Sequence, residues 1–204
     1  MSETQAEIHY RVLPDRMPPI ARENMTEAQK KTADGISAGP RGGVKGPFWP
    51  MLRSPGFADK VQRVGAYIRF ECKLDKRLNE LAAIIGARAW SQQFEWWAHY
   101  RQALEAGLKP EIGNAIAEGR RPTGMAQDEE VLYDFLTELL TNQSVCDATY
   151  ARTVKQFGEE GVIDITGIVG YYTMLAMIMN VARTAIDDGS PLPLPPFPQR
   201  LEKV

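Results

Sequence analysis

A carboxylate and an imidazole one helical turn apart can share or pass a proton. The stretch Ser91–Gly107 sets Glu95 and His99 at that spacing. At about 100° per residue, Gln92, Glu95, Trp96, His99, Ala103 and Ala106 fall on one stripe, and Phe94, Trp97 and Leu104 lie on the opposite side. A second carboxylate, Glu80, stands in the preceding segment on the side of Ala83, Ile84 and Ala87. A charge in such surroundings is costly unless it is paired or protonated. A short turn joins the two segments into a hairpin, so Glu80 can approach Glu95 and His99. Two carboxylates and an imidazole in one half-buried place can separate their pKa values and provide an acid and a base near neutrality. The same Glu/His spacing also suits an ordinary hydrogen bond on a helix surface.

Other chemistries find less support. Di-iron bundles use paired Glu-x-x-His motifs, and here there is one Glu-x-x-x-His, so no metal is expected. The only other histidine, His9, lies in a polar N-terminal stretch, which leaves no partner for a Ser or Cys nucleophile. The loop AGPRGGVKGPFWP has Val44 before Lys45 and no Ser or Thr after it, so it lacks the spacing of a phosphate-binding loop. Met174, Met177 and Met179 read as core filling.

The elements that must position Glu80, Glu95 and His99 are helices. Thr26 caps a helix to about Ile36, and residues 38–50 form the Gly/Pro-rich loop. Ser54-Pro55 opens a helix through Phe70, and Asp75 caps the next, Lys76 to about Ala89. Ser91–Ala106 stops at Gly107, and Pro110–Glu118 stops at Gly119. Asp128 caps a helix to about Thr141, Asp147–Phe157 stops at Gly158, and Ile163–Ile186 stops at Asp188-Gly189. No strand alternation appears. The reading is a single all-α domain over 1–204, with an extended arm (about 1–24) and a Pro-rich tail (about 189–204) that lies on another surface. The helix around Glu95 carries bulky apolar residues on both sides, so it is expected to be covered twice, once by another subunit.

The composition fits this reading. The chain has 204 residues, 44% of them hydrophobic and 25% charged, as in soluble globular proteins. A net charge of -2 offers no basic field for nucleic acid. Cys72 and Cys146 form no CxxC and read as reduced cytosolic thiols. No secretory signal is visible, and the apolar run around Ile168–Val181 is too short to span a bilayer before Arg183. A cytoplasmic protein without a membrane partner is expected.

The segment LNELAAIIGARAWSQQFEWWAHYRQALEAGL resembles the helical hairpin of the carboxymuconolactone decarboxylase family, which includes alkylhydroperoxidase D-like proteins. Redox members carry Glu, eleven residues, then Cys-x-x-Cys-x-x-x-His. Here the frame reads Glu80, eleven residues, Gln92, two residues, Glu95, three residues, His99. GPFWPMLRSPGFADKVQRVGAYIRF and GIVGYYTMLAMIMNVA resemble the family's preceding loop and helix and its second long core helix, so the likeness spans roughly residues 45–185. The resemblance implies an all-α fold, assembly as trimers or hexamers, and loss of thiol peroxidase chemistry, which needs both cysteines. It further implies decarboxylation of a carboxylated lactone or related small organic acid without a cofactor. In that role His99 is the proton donor, oriented by Glu95 or Glu80. Arg88 and Arg53 stand where a substrate carboxylate could be held. Phe48, Trp49, Trp96 and Gln92 suit a small, partly apolar, cyclic ligand, although the aromatic residues equally suit packing. Another acid/base activity on the same scaffold (hydrolase, isomerase or dehydratase) and a non-catalytic ligand-binding protein are the competing readings.

Overall fold

The computed structural model describes residues 14–186 and 193–194. Among them there are eight α-helices and no strand, the all-α class expected from the sequence. In chain order these are α1 (Glu27–Ala38), α2 (Phe48–Met51), α3 (Pro55–Ala66), α4 (Lys76–Ala89), α5 (Gln93–Glu105), α6 (Pro110–Ala117), α7 (Gln127–Asn142) and α8 (Asp147–Ala182). A 3-10 turn, Arg22–Asn24, precedes α1, and a π-helical turn, Tyr67–Glu71, continues α3.

Helix α4 is the centre of the fold because its sequence leaves it no outward face. Every residue from Leu78 to Arg88 is buried, and α5, α6, α7 and α8 all pack around it. Asp75 starts it, accepting a hydrogen bond from the Arg77 amide at 3.0 Å. Gly86 lets α8 come close: a Cβ there would already touch the Val169 side chain at 3.5 Å. Arg77 clamps α4 to α7 by donating to Asp128 at 2.6 Å and to Glu129. One cluster of buried apolar side chains runs from Ile36 through α4 and α8 to Leu194, and a smaller one joins Met25, Ala33 and Leu52.

Several boundaries differ from the sequence reading, each for a local reason. Phe48–Met51 is a short helix, not loop. Ser54 precedes α3 without a side-chain cap, leaving Pro55 to start the helix. The expected run through Phe70 is α-helical only to Ala66 and then widens into the π-turn, where the Cys72 amide donates to the Tyr67 carbonyl at 2.8 Å. Ser91 adopts a left-handed φ of 46°, so α5 begins only at Gln93. Helix α7 begins at Gln127, and Glu129 rather than Asp128 reaches back to the Ala126 amide, at 2.7 Å. The two expected last helices follow each other directly, separated only by Gly158 at φ 70° and ψ 174°, and the second ends at Ala182 with Arg183 left-handed. The expected end at Ile186 is therefore too late, since residues 184–186 are not helical, and the expected stop at Asp188-Gly189 and most of the proposed arm and tail lie outside the described residues.

The described ends of the chain return to their own fold. The Arg16 amide donates to the Ala182 carbonyl at 2.7 Å. Leu194 is buried in the main core, and its amide donates to Gln93 at 2.9 Å. At that residue the tail packs on its own α5 instead of another surface. This also corrects the double-cover argument: on α5, Phe94 is buried and only Leu104 is an exposed large apolar residue. Helix α8 is long and apolar enough to cross a membrane, yet half of its most apolar stretch is buried inside the fold.

Candidate active site

The hairpin α4–α5 places Glu80 and His99 against each other from opposite strands of the turn. Glu80 is completely buried, and both of its oxygens are engaged. Lys76, one turn earlier on α4, donates to Oε1. His99 Nδ1 lies 2.6 Å from Oε2. Burial pushes the Glu80 carboxyl upward, but the His99 contact first and then Lys76 outweigh it and hold the group below its ordinary range. A carboxylate only accepts hydrogen bonds, so the shared proton sits on His99 Nδ1 and Nε2 is the nitrogen left to react. The His99 ring stands edge-on to Tyr172, with centroids 4.5 Å apart. Its orientation is therefore set from two sides.

Glu95 is in a different situation, although it is on the same helix. Its backbone amide is held by the Gln92 side chain at 2.9 Å. Its carboxyl is buried, Oε2 has no hydrogen-bond partner, and no cation offsets the burial. Burial alone pushes this carboxyl well above its ordinary value, which favours its protonated form. The hairpin thus shifts its two carboxyls in opposite directions, Glu80 down and Glu95 up. The pairing differs from the helix-wheel expectation: His99 bonds to Glu80 across the hairpin, not to Glu95 one turn away.

Glu95 and His99 both line a cavity of 430 Å³ between α5, the 40–48 loop, the π-turn and α8. Phe48, Phe94, Trp97, Leu175 and Met179 supply apolar wall, and Tyr171 and Tyr172 bring aromatic rings from α8. Arg41 and Arg69 also line it. The loop reaches the cavity because Gly46 is left-handed, at φ 49°, and has no side chain; a Cβ there would stand 2.4 Å from the Phe94 ring. No group of three His, Cys, Asp or Glu side chains at metal-holding separation occurs among the described residues.

Of the residues singled out from sequence, Glu95, His99 and Phe48 line the cavity, and Glu80 supports it from behind. The others have different work. Gln92 is the N-cap of α5. Trp96 is buried in the core with its ring 5.2 Å from Tyr100. Trp49 packs on the smaller cluster with Met25 and Leu52. Arg53 donates to the carbonyls of Trp49 at 2.8 Å and Pro18 at 2.7 Å, tying down the chain before α1. Arg88 is buried and donates to Ser91 at 3.3 Å, bracing the hairpin turn. Of the cations that line the cavity, Lys45 and Arg101 are exposed, and the two half-buried ones, Arg41 and Arg69, are not among the residues singled out. Arg41 sits in a Gly/Pro loop with no helical register, and Arg69 is turned by the π-helical widening, which 3.6-residue spacing does not anticipate. The Tyr171-Tyr172 pair was legible only as part of an apolar helix.

No protein-family model matches the chain, and no curated protein is similar to it in sequence. Solved structures do resemble it. The AhpD core of alkylhydroperoxidase, an uncharacterised peroxidase-related protein from Ralstonia eutropha JMP134, superposes with a TM-score of 0.71 at 15% identity, over 85% of this chain and 93% of that one. A protein of unknown function from Agrobacterium tumefaciens, provisionally linked to the antioxidant defence protein AhpD, superposes with a TM-score of 0.60 at 17% identity, over 67% of this chain and 94% of that one. With helices in this arrangement and these two structures as neighbours, the chain has the AhpD-like all-α fold.

Proposed function

We propose that this protein is a cofactor-independent acid/base enzyme acting on a small organic acid, a carboxylated lactone or a relative of one, with decarboxylation as its reaction. The observation that carries the reading is the arrangement at one cavity: His99 braced by the Glu80 carboxylate, and Glu95 lining the same cavity with a buried carboxyl that burial pushes upward. The apolar walls favour the reaction, because a carboxylate stripped of water loses carbon dioxide more readily than a hydrated one. In the step, the bond between the carboxylate carbon and its neighbour breaks, and carbon dioxide leaves. The electron pair moves into an adjacent carbonyl to give an enolate. Glu95 donates a hydrogen bond to the enolate oxygen, and doubly protonated His99 delivers the Nε2 proton to carbon. Glu80 steadies the imidazolium before transfer and holds the ring in place afterwards. Solvent then restores the proton to His99.

The test is His99→Asn, assayed on carboxylated lactones for carbon dioxide release. Asn keeps a hydrogen bond to Glu80 but cannot carry a proton near neutrality. The rate is expected to fall by about 10²–10⁴ with the fold intact. Full turnover in the folded variant would reduce His99 to a structural partner of Glu80.

A further inference from the structure

The cavity wall carries two guanidinium groups that the fold leaves without a counter-charge. Half-buried Arg77, by contrast, meets two carboxylates, Asp128 and Glu129. Arg41 and Arg69, both half-buried, make no ion pair among the described residues. Arg41 donates to the Tyr171 hydroxyl at 3.2 Å and lies over the Phe48 ring at 4.7 Å. Arg69 donates to the Gln102 side-chain oxygen at 3.1 Å. The Nε–H of each is buried and has no acceptor. The two positive groups also repel each other, and burial weakens the hold of Arg41 on its proton. Two desolvated, mutually repelling guanidiniums with spare donors in one cavity are costly unless an anion completes the set.

The surrounding chain is shaped to keep Arg41 there. A Cβ on Gly65 would stand 2.0 Å from the Tyr171 hydroxyl and 2.2 Å from an Arg41 terminal nitrogen. Only the absence of a side chain at Gly65 lets that pair lie against α3. The π-turn in the same stretch carries Arg69.

We propose that Arg41 and Arg69 form the carboxylate subsite of this cavity and decide that its ligand is a planar organic acid and not the corresponding ester or neutral lactone. The aromatic walls (Phe48, Phe94, Trp97) select a flat, unsaturated body, and the arginines select its charge. This rests on reading the cavity as a site for an organic acid. A cation on a departing carboxylate would hold it back, so the group gripped by Arg41 and Arg69 is a second carboxylate that stays on the molecule.

The experiment measures binding by isothermal titration with benzoate, cinnamate and phenylacetate, each against its methyl ester, and with inorganic phosphate. At least one acid should bind about tenfold or more tightly than its ester. Arg41→Gln and Arg69→Gln should each weaken the acid by about 10- to 100-fold and leave the ester unchanged. The wild-type comparison needs no variant, so a poorly folding Arg41→Gln does not block the test. Equal binding of acids and esters, binding of none of the acids, stronger binding of phosphate, or an undiminished preference in the arginine variants would overturn the subsite. His99→Asn is titrated alongside and should keep the preference. Loss of turnover is the separate test of the acid/base reading, so the two can fail independently.

Discussion

At the scale of single residues, two glutamates of one hairpin are driven apart by their surroundings, and stability should record it. Glu95 is raised above its ordinary value of 4.5 by burial. Its stabilising contribution is therefore full below that value and is lost as pH rises through the folded-state pKa. Glu80 is lowered by His99 and Lys76, after burial is overcome, so its contribution is present above 4.5 and is lost as pH falls through the folded-state pKa. Glu95→Gln imitates the protonated form and cannot ionise. Thermal melts from about pH 5 to about pH 9 should show the variant keeping stability on the alkaline side where wild type declines, by roughly 2–4 °C for each kcal/mol relieved. Parallel profiles would mean that Glu95 is already ionised. The thiols lead to a second expectation. Cys72 is raised by burial and donates to Asp164 at 3.6 Å, Cys146 is exposed, and neither lines the cavity. Peroxide reduction driven by a dithiol should be absent. Turnover that vanishes in Cys72→Ala or Cys146→Ala would show otherwise. Glu80, Glu95 and His99 were legible because their types and spacing carry chemistry. Arg41 and Arg69 were not, because what marks them is the lack of a counter-charge among the described residues, a three-dimensional fact.

At the scale of elements, legibility follows the strength of local signals. Asp75 before α4, Pro55 before α3 and Gly107 after α5 act through the backbone beside them, so the sequence announces those helices. The π-turn at Tyr67–Glu71 has no such signature. It is imposed by packing: the Asn79 side chain, from α4, donates to the Ile68 carbonyl at 2.8 Å. The sequence reads Gly158 as a stop, and the structure makes it a kinked joint between two helical runs. Its φ of 70° and ψ of 174° suit glycine almost alone, and nothing stands within 4 Å of a Cβ built there. The cost of a side chain is therefore purely conformational. Gly158→Ala should lose about 1–3 kcal/mol in denaturant unfolding with little change in the cavity. An unchanged midpoint would show that α8 can close into one continuous helix across the joint.

At the scale of the whole molecule, the question is what covers α8. Ile163, Gly167, Gly170, Met174, Met177 and Val181 recur at alternate spacings of four and three residues along it. That period of about 3.5 is the seam of a helix that packs lengthwise against another. The seam is open: Ile163 is 71% exposed and Val181 59%, while Gly167 and Gly170 have nothing within 4 Å of a Cβ position. Tyr67, also exposed, donates to Asp164 at 2.9 Å and extends the apolar surface at the Ile163 end. An uncovered stripe this regular is unfavourable in water, and glycines within it allow close approach of a second backbone. The expected homo-oligomer should therefore assemble through α8, and not through α5 as the sequence alone implied. Light scattering after size exclusion should give a multiple of 22.8 kDa at micromolar concentration. Ile163→Glu with Val181→Glu should lower that mass while circular dichroism keeps its helical signature, because both side chains point away from the core. A monomeric wild type would defeat the assembly argument, and an oligomer untouched by the double variant would move the interface off α8.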